Sequence, residues 1–206
     1  MIDGRPWFRF MDRLYSPLPV HDLDPSMVAE LCELRLEFMD ELIDETIYAK
    51  VAHQLREAAA ERIAAADAGP VVLDFGTGDG RFSRTLATRL PNAHVLGCDI
   101  SFASLRRSRP KGRVFQISTD GDIPIGNSRM DLTVACFVLH FTLPVRAFEE
   151  LHRITRGGGH LVVNTYGPGG VRSRESVERT GWKVVGERDV PDIAGHRILA
   201  FQKRPG

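Results

Sequence analysis

The sequence predicts an α/β protein: a doubly wound sheet of seven strands, mostly parallel with a C-terminal antiparallel strand, preceded by an N-terminal helical extension. Three observations predict it. From Val71 onward, short apolar runs alternate with amphipathic helical stretches, the pattern of a parallel sheet covered on both faces. A glycine-rich turn, Gly76-Thr77-Gly78-Asp79-Gly80, carries the first run into the first helix. The last two runs are joined by only Pro191 to His196, which suits a hairpin and not a crossover, so the closing strand runs antiparallel.

Each element has its own signal. Residues 1–21, with Trp7, Phe8, Phe10, Met11 and Tyr15 among three prolines, show no sustained period and are expected to form an irregular aromatic arm. Asp24-Pro25 is an N-cap and first-turn pair. Apolar residues then recur mostly every four positions from Val28 to Leu55, with a second stripe at Leu31, Leu34, Phe38 and Leu42. One helix over 25–67 would be unusually long, so a break is expected near Asp44, itself a suitable cap. Strands are expected at 71–75, 94–99, 113–117, 131–137, 160–165, 182–190 and 197–203. Helices fill the gaps at 81–90, 102–108 and 145–155, the last with Val145, Phe148, Leu151 and Ile154 inward. Gly167-Pro168-Gly169-Gly170 reads as a loop before a short helix near 173–180. The chain therefore divides into 1–68 and 69–206.

Composition bounds the function. Apolar residues at 43% and charged residues at 26% fit a globular chain and exclude a disordered one. No apolar run approaches the roughly 18 residues of a membrane span, and residues 1–10 lack a signal-peptide core, so no membrane role is expected. Three cysteines without Cys-x-x-Cys spacing fit a reduced, cytoplasmic setting. Zero net charge conceals polarity: residues 1–69 hold 7 basic and 14 acidic side chains, leaving 20 and 13 in 70–206, so the two parts are −7 and +7.

The chemistry-bearing run is Val71 to Gly80. Glycines there permit a tight turn and close approach of backbone to a ligand, and the helix that follows presents free N–H groups. Asp99 ends the next strand 19 residues after Gly80, where a carboxylate can accept both hydroxyls of a ribose. His140, just past the fourth strand, is a candidate base for an acceptor proton, and Tyr166, ending the fifth, a candidate substrate contact. The remaining histidines show no metal-ligand spacing, so no metal is expected. The basic cluster Arg106, Arg107, Arg109, Lys111 and Arg113 lacks interleaved aromatics, and a solvated helix face is favoured over nucleic-acid binding.

With Asp74 two residues before Gly76-Thr77-Gly78-Asp79-Gly80 and an acid at Asp99, the sequence resembles the class I S-adenosylmethionine-dependent methyltransferases. Further likeness lies in Asp120-Gly121-Asp122-Ile123-Pro124, in Asp131 to His140 and in Arg156 to Val163. The resemblance is good over 71–165, thinner to 203, where Gly181-Trp182 fits, and absent from 1–68. It implies a Rossmann-like fold, S-adenosylmethionine (SAM) as cofactor and S-adenosyl-L-homocysteine as product. Carried onto this chain, the cofactor residues are Asp74, Gly76, Thr77, Gly78, Gly80, Asp99, Ile100, Asp120, Gly121, Asp122, Cys136 and Phe137. Asp74 is then expected beside the sulfonium and amino group, either Asp120 or Asp122 beside adenine, and Asp131 as a structural cap. The expected activity is methylation of a small-molecule acceptor, with residues 1–68 as an acceptor-side lid or a homodimer contact. RNA methylation, NAD-dependent oxidoreduction and a non-catalytic SAM-fold interaction role are the alternatives. The oxidoreductase fingerprint wants glycine or alanine where Arg81 stands.

Overall fold

The computed structural model describes residues 8–10, 14–16, 22–34, 44–63, 69–108 and 113–204. Arg109, Lys111 and the apolar positions Leu36, Met39 and Ile43 lie outside them. In chain order the elements are β1 (Phe8–Phe10), β2 (Leu14–Ser16), α1 (Pro25–Leu34), α2 (Glu45–Ile63), β3 (Val71–Phe75), α3 (Arg81–Arg89) and β4 (His94–Asp99). They continue as α4 (Phe102–Ser108), β5 (Arg113–Gln116), β6 (Met130–Ala135), α5 (Val145–Ile154), β7 (Thr155–Thr165), α6 (Gly167–Arg179), β8 (Trp182–Asp189) and β9 (Arg197–Lys203).

Seven strands form one sheet in the order β5-β4-β3-β6-β7-β9-β8. Neighbours from β5 to β7 pair parallel, while β9 pairs antiparallel with both β7 and β8. The expected fold class is therefore the observed one. The order reverses at β3, the first strand, whose successors β4 and β6 lie on either side of it. Such a reversal opens a crevice at the carboxyl ends of the strands.

Alternation along β3 assigns the two faces. Leu73 and Phe75 join the core beneath α5 and α6, with Phe148, Leu151, Ile154 and Val177, while Val72 faces α2 and α3, with Val51, Leu55, Phe82 and Leu86. A smaller cluster of Leu23, Val28, Cys32 and Phe141 seats α1. The predicted caps form: Asp24 Oδ1 accepts from Met27 N at 2.9 Å, and Asp44 Oδ1 accepts from Thr46 N at 2.8 Å and Ile47 N at 3.1 Å. Asp131 Oδ2 accepts from Val71 N at 2.6 Å, tying the start of β6 to the start of β3.

Four expectations fail for local reasons. The aromatic arm contains a paired hairpin, Phe8 opposite Ser16 and Phe10 opposite Leu14. Gly167-Pro168-Gly169-Gly170 is not a loop but the first turn of α6. Proline is tolerated there, and the backbone of His140 leaves no room for a Cβ at Gly169. The strand expected at 160–165 starts at Thr155, so β7 takes in Gly157-Gly158-Gly159 and is irregular there: Met130 opposes Thr155 and Leu132 opposes His160. Val145 is 54% exposed and Ala147 takes the inward position instead.

Candidate active site

Strand β3 delivers Asp74 to the base of the glycine turn, where it is completely buried. Its Oδ2 accepts from Thr77 Oγ1 at 2.8 Å and from Ser83 Oγ at 2.5 Å, pinning the turn to the first turn of α3. Its Oδ1 is buried without a partner. Burial raises the carboxyl from its ordinary 3.8 to about 6, against the two hydroxyls. Asp74 thus lies under the turn and is not among the residues that line the cleft.

The turn itself is open to the cleft. Gly76 and Gly78 have φ of 74° and 55°, in the left-handed region that favours glycine. A Cβ at Gly76 would overlap Val138, whereas at Gly78 it would meet nothing within 4 Å and point into free space. Gly80 is buried as the N-cap of α3, outside the lining. Gly78 N donates to Asp99 Oδ2 at 2.8 Å, and Ser101 N to Asp99 Oδ1 at 2.9 Å. Acid and glycine turn are therefore one unit. Burial raises the Asp99 carboxyl above its ordinary value, the backbone N–H groups opposing it.

The cleft, about 1320 Å³ with its open mouth, lies over the carboxyl ends of β3, β4 and β6. Gly76, Thr77, Gly78, Asp99, Ile100, Gly121, Cys136 and Phe137 line it, as expected from the sequence. Asp120 and Asp122 do not. Asp122 pairs with Arg146 at 2.8 Å and Asp120 accepts from Ser118 Oγ at 3.3 Å, so the turn after β5 presents Ser118 and Thr119 instead.

Phe137 has φ of 57°, unusual for a bulky residue, and its N–H donates to the buried Asn164 Oδ1 at 2.6 Å. Four rings surround it: Tyr48 stacked at 5.9 Å, His196 at 5.9 Å, Tyr166 at 6.1 Å and His140 at 6.5 Å. Only Tyr48 of these four lines the cleft. His140 is 3% exposed and packs on Phe141 and Tyr166 at 4.0 and 4.8 Å. Burial, reinforced by nearby His196, lowers it to about 3, so it is neutral at any ordinary pH. Tyr166 stacks between His140 and His196, 4.5 Å from the latter. The structure brings neither His140 nor Tyr166 to the cleft.

Helices α1 and α2 close the other side through Val28, Cys32, Glu45 and Tyr48. Arg81, first residue of α3, reaches the same wall: its Nη1 donates to Glu45 Oε1 at 2.7 Å, its Nη2 contacts Oε2, and its guanidinium lies 4.1 Å over the Tyr48 ring. Sequence reasoning missed Glu45 and Tyr48, which precede the recognisable motifs. Arg81 had a signal, since it directly follows Gly80 at the mouth of the turn. Among the described residues no group of three metal-ligating side chains occurs, and no helix is long and apolar enough to cross a membrane.

A reversal-point crevice floored by a glycine turn that is bonded to a strand-end acid is the place where open α/β sheets take their ligands. The comparisons sharpen this. Residues 73–163 match the family described as "Methyltransferase domain". The malonyl-[acyl-carrier protein] O-methyltransferase of Legionella pneumophila is 35% identical over 103 residues, 47% of this chain and 36% of that protein. The ubiquinone/menaquinone biosynthesis C-methyltransferase UbiE of Syntrophotalea carbinolica is 28% identical over 130 residues, 60% of this chain and 54% of that one. Among solved structures, the [4+2]-cyclase SpnF superposes with a TM-score of 0.69 at 18% identity, covering 90% of this chain and 98% of that one. Over residues 73–163 the chain is thus similar to methyltransferases. It spans about a third to a half of the length of these two curated relatives.

Proposed function

We propose that this chain binds SAM in the cleft and transfers its methyl group to a small-molecule acceptor that is already nucleophilic at neutral pH. The observation that carries the cofactor reading is the bond from Gly78 N to Asp99: the loop that admits close approach and the acid that suits ribose hydroxyls are fixed together in the cleft wall. The free space where a Gly78 Cβ would point fits the same group. Ile100, Ser118, Thr119 and Gly121 form the wall for the adenine end, and Cys136 and Phe137 that for the reacting end.

Bound SAM supplies a methyl group on an electrophilic, positively charged sulfur. The protein's part is alignment and exclusion of water, and positioning alone is worth on the order of 7 to 11 kcal/mol of barrier. His140 stands outside the cleft, packed between rings and made a very weak base by burial, so the reading assigns it to packing and not to proton removal. A carboxylate, thiolate or activated carbon needs no such base. The relative named for O-methylation of a malonyl group fits that class, and the one named as a C-methyltransferase fits the last.

The test is methyl transfer from labelled SAM to a panel of carboxylic acids, thiols, phenols and quinols. His140→Phe preserves an aromatic ring for the stack while removing any base. Turnover of a panel member, retained within about threefold in His140→Phe at each pH from 6 to 8, supports the reading. Loss of two or more powers of ten in a folded His140→Phe protein restores the base role.

A further inference from the structure

The proposed cofactor has an amino-acid end with a carboxylate, and the glycine turn and Asp99 leave that end unassigned. Arg81 stands directly after the turn, in the same cleft wall. Its guanidinium is engaged by Glu45 in the two-pronged geometry that a guanidinium offers any carboxylate, one contact being 2.7 Å. Glu45 comes from a different segment, the first residue of α2, and its side chain is 70% exposed. Exposed pairs of this kind are held weakly and exchange partners readily. The Tyr48 ring, 4.1 Å from the guanidinium, holds Arg81 at the cleft independently of Glu45.

We propose that Arg81 binds the amino-acid carboxylate of the cofactor and that Glu45 occupies this position in the free protein, as a built-in competitor that must be displaced. This inference rests on the SAM reading above. It gives α2 a function in cofactor affinity: the segment that closes the cleft also sets how hard the cofactor must compete to enter. Asp79 is the other carboxylate beside Arg81, but its Oδ1 accepts from Arg81 N at 2.9 Å and its Oδ2 lies 3.8 Å from Arg84 Nη2, so it is held within the turn.

A competitor and a supporting contact differ in sign when removed. Calorimetry with SAM, S-adenosyl-L-homocysteine and 5′-methylthioadenosine, which lacks the amino-acid part, separates them. Glu45→Gln is expected to bind SAM and S-adenosyl-L-homocysteine about two- to fivefold more tightly, the range for freeing one exposed ion pair. Arg81→Gln is expected to weaken both about tenfold or more, with methylthioadenosine unchanged in either variant. The double variant should match Arg81→Gln alone, because the competitor has nothing left to block. Arg81→Lys serves if Arg81→Gln melts early: it keeps charge without the fork and should lose part of the affinity. Glu45→Gln that weakens SAM, or variants that shift all three ligands alike, would overturn the placeholder role while leaving the cofactor reading intact. Wild-type protein that binds none of the three overturns both.

Discussion

Asp74 and Asp99 end adjacent strands, and their surroundings separate them. Asp99 keeps a face in the cleft with both oxygens touched only by backbone N–H groups, so it can still accept from a ligand. Asp99→Ala should keep the fold, lower the melting temperature modestly because Gly78 N and Ser101 N lose their acceptor, and raise the SAM Kd by about one to two powers of ten, the range of a hydrogen bond to a charged group, read by calorimetry. Asp74 instead acts on the turn and carries a pH signature. Its native pKa of about 6 lies above its ordinary 3.8, so between those values the folded protein holds a proton that the unfolded chain releases. Its contribution to stability is therefore fully present below about pH 4, falls as pH rises through about 6, and is lower by about 3 kcal/mol above it. Asp74→Asn keeps an oxygen for Thr77 and Ser83 without the charge. Urea titrations at pH 5 and pH 7.5 should show a shallower fall with pH than the wild type, and an unchanged slope would detach that fall from Asp74. Gly78, Asp99 and the turn were legible because spacing alone joins a loop to a strand-end acid. The neighbourhood of Asp120, Asp122 and His140 was not, since the path of a turn and the depth of a ring are set by tertiary packing.

At the scale of elements, capping and periodicity were the readable parts. Asp24 and Asp44 both cap where the sequence placed them, and the break between α1 and α2 follows. Asp44→Ala removes an acceptor shared by two N–H groups and should cost about 0.5 to 2 kcal/mol in chemical denaturation, with SAM affinity changed only through the start of α2. The first turn of α6 was illegible because glycine and proline normally mark loops. There they serve close approach, since the His140 backbone lies against Gly169 and Thr165 against Gly170. Gly169→Ala should therefore destabilise severely, although alanine is the better helix former, and Gly158→Ala should cost much less, since it meets open space and only its φ of 77° opposes the change. Equal melting temperatures for the two variants would remove the packing explanation.

For the whole molecule, the opposed charges of the two parts of the chain become contacts. Asp22 pairs with Arg172 at 3.1 Å, Glu57 with Arg89 at 2.9 Å and Glu61 with Arg188 at 3.0 Å, besides Glu45 with Arg81. Such exposed pairs contribute little individually, about 0 to 1 kcal/mol, and are weakened by salt. The stronger link is apolar. Val51, Ala52, Leu55, Ala58 and Ala59 of α2 are buried against Val72, Leu132, Val134 and Val162, so α2 covers a face of the sheet. Burial of a valine or leucine is worth about 1.5 to 3 kcal/mol each, and uncovering both sides of this contact forfeits more than about 5 kcal/mol, comparable with the whole stability of a domain. Two truncations should therefore behave differently. Removing residues 1–21 stops short of the Asp22 pair and of Leu23, and the shortened protein should stay folded with SAM affinity within about threefold of the full chain. Removing residues 1–68 takes α2 away, and the remainder should lose cooperative thermal unfolding and expose apolar surface to a hydrophobic dye. A folded, SAM-binding fragment 69–206 would show that the sheet closes without α2 and would return the N-terminal segment to a purely peripheral role.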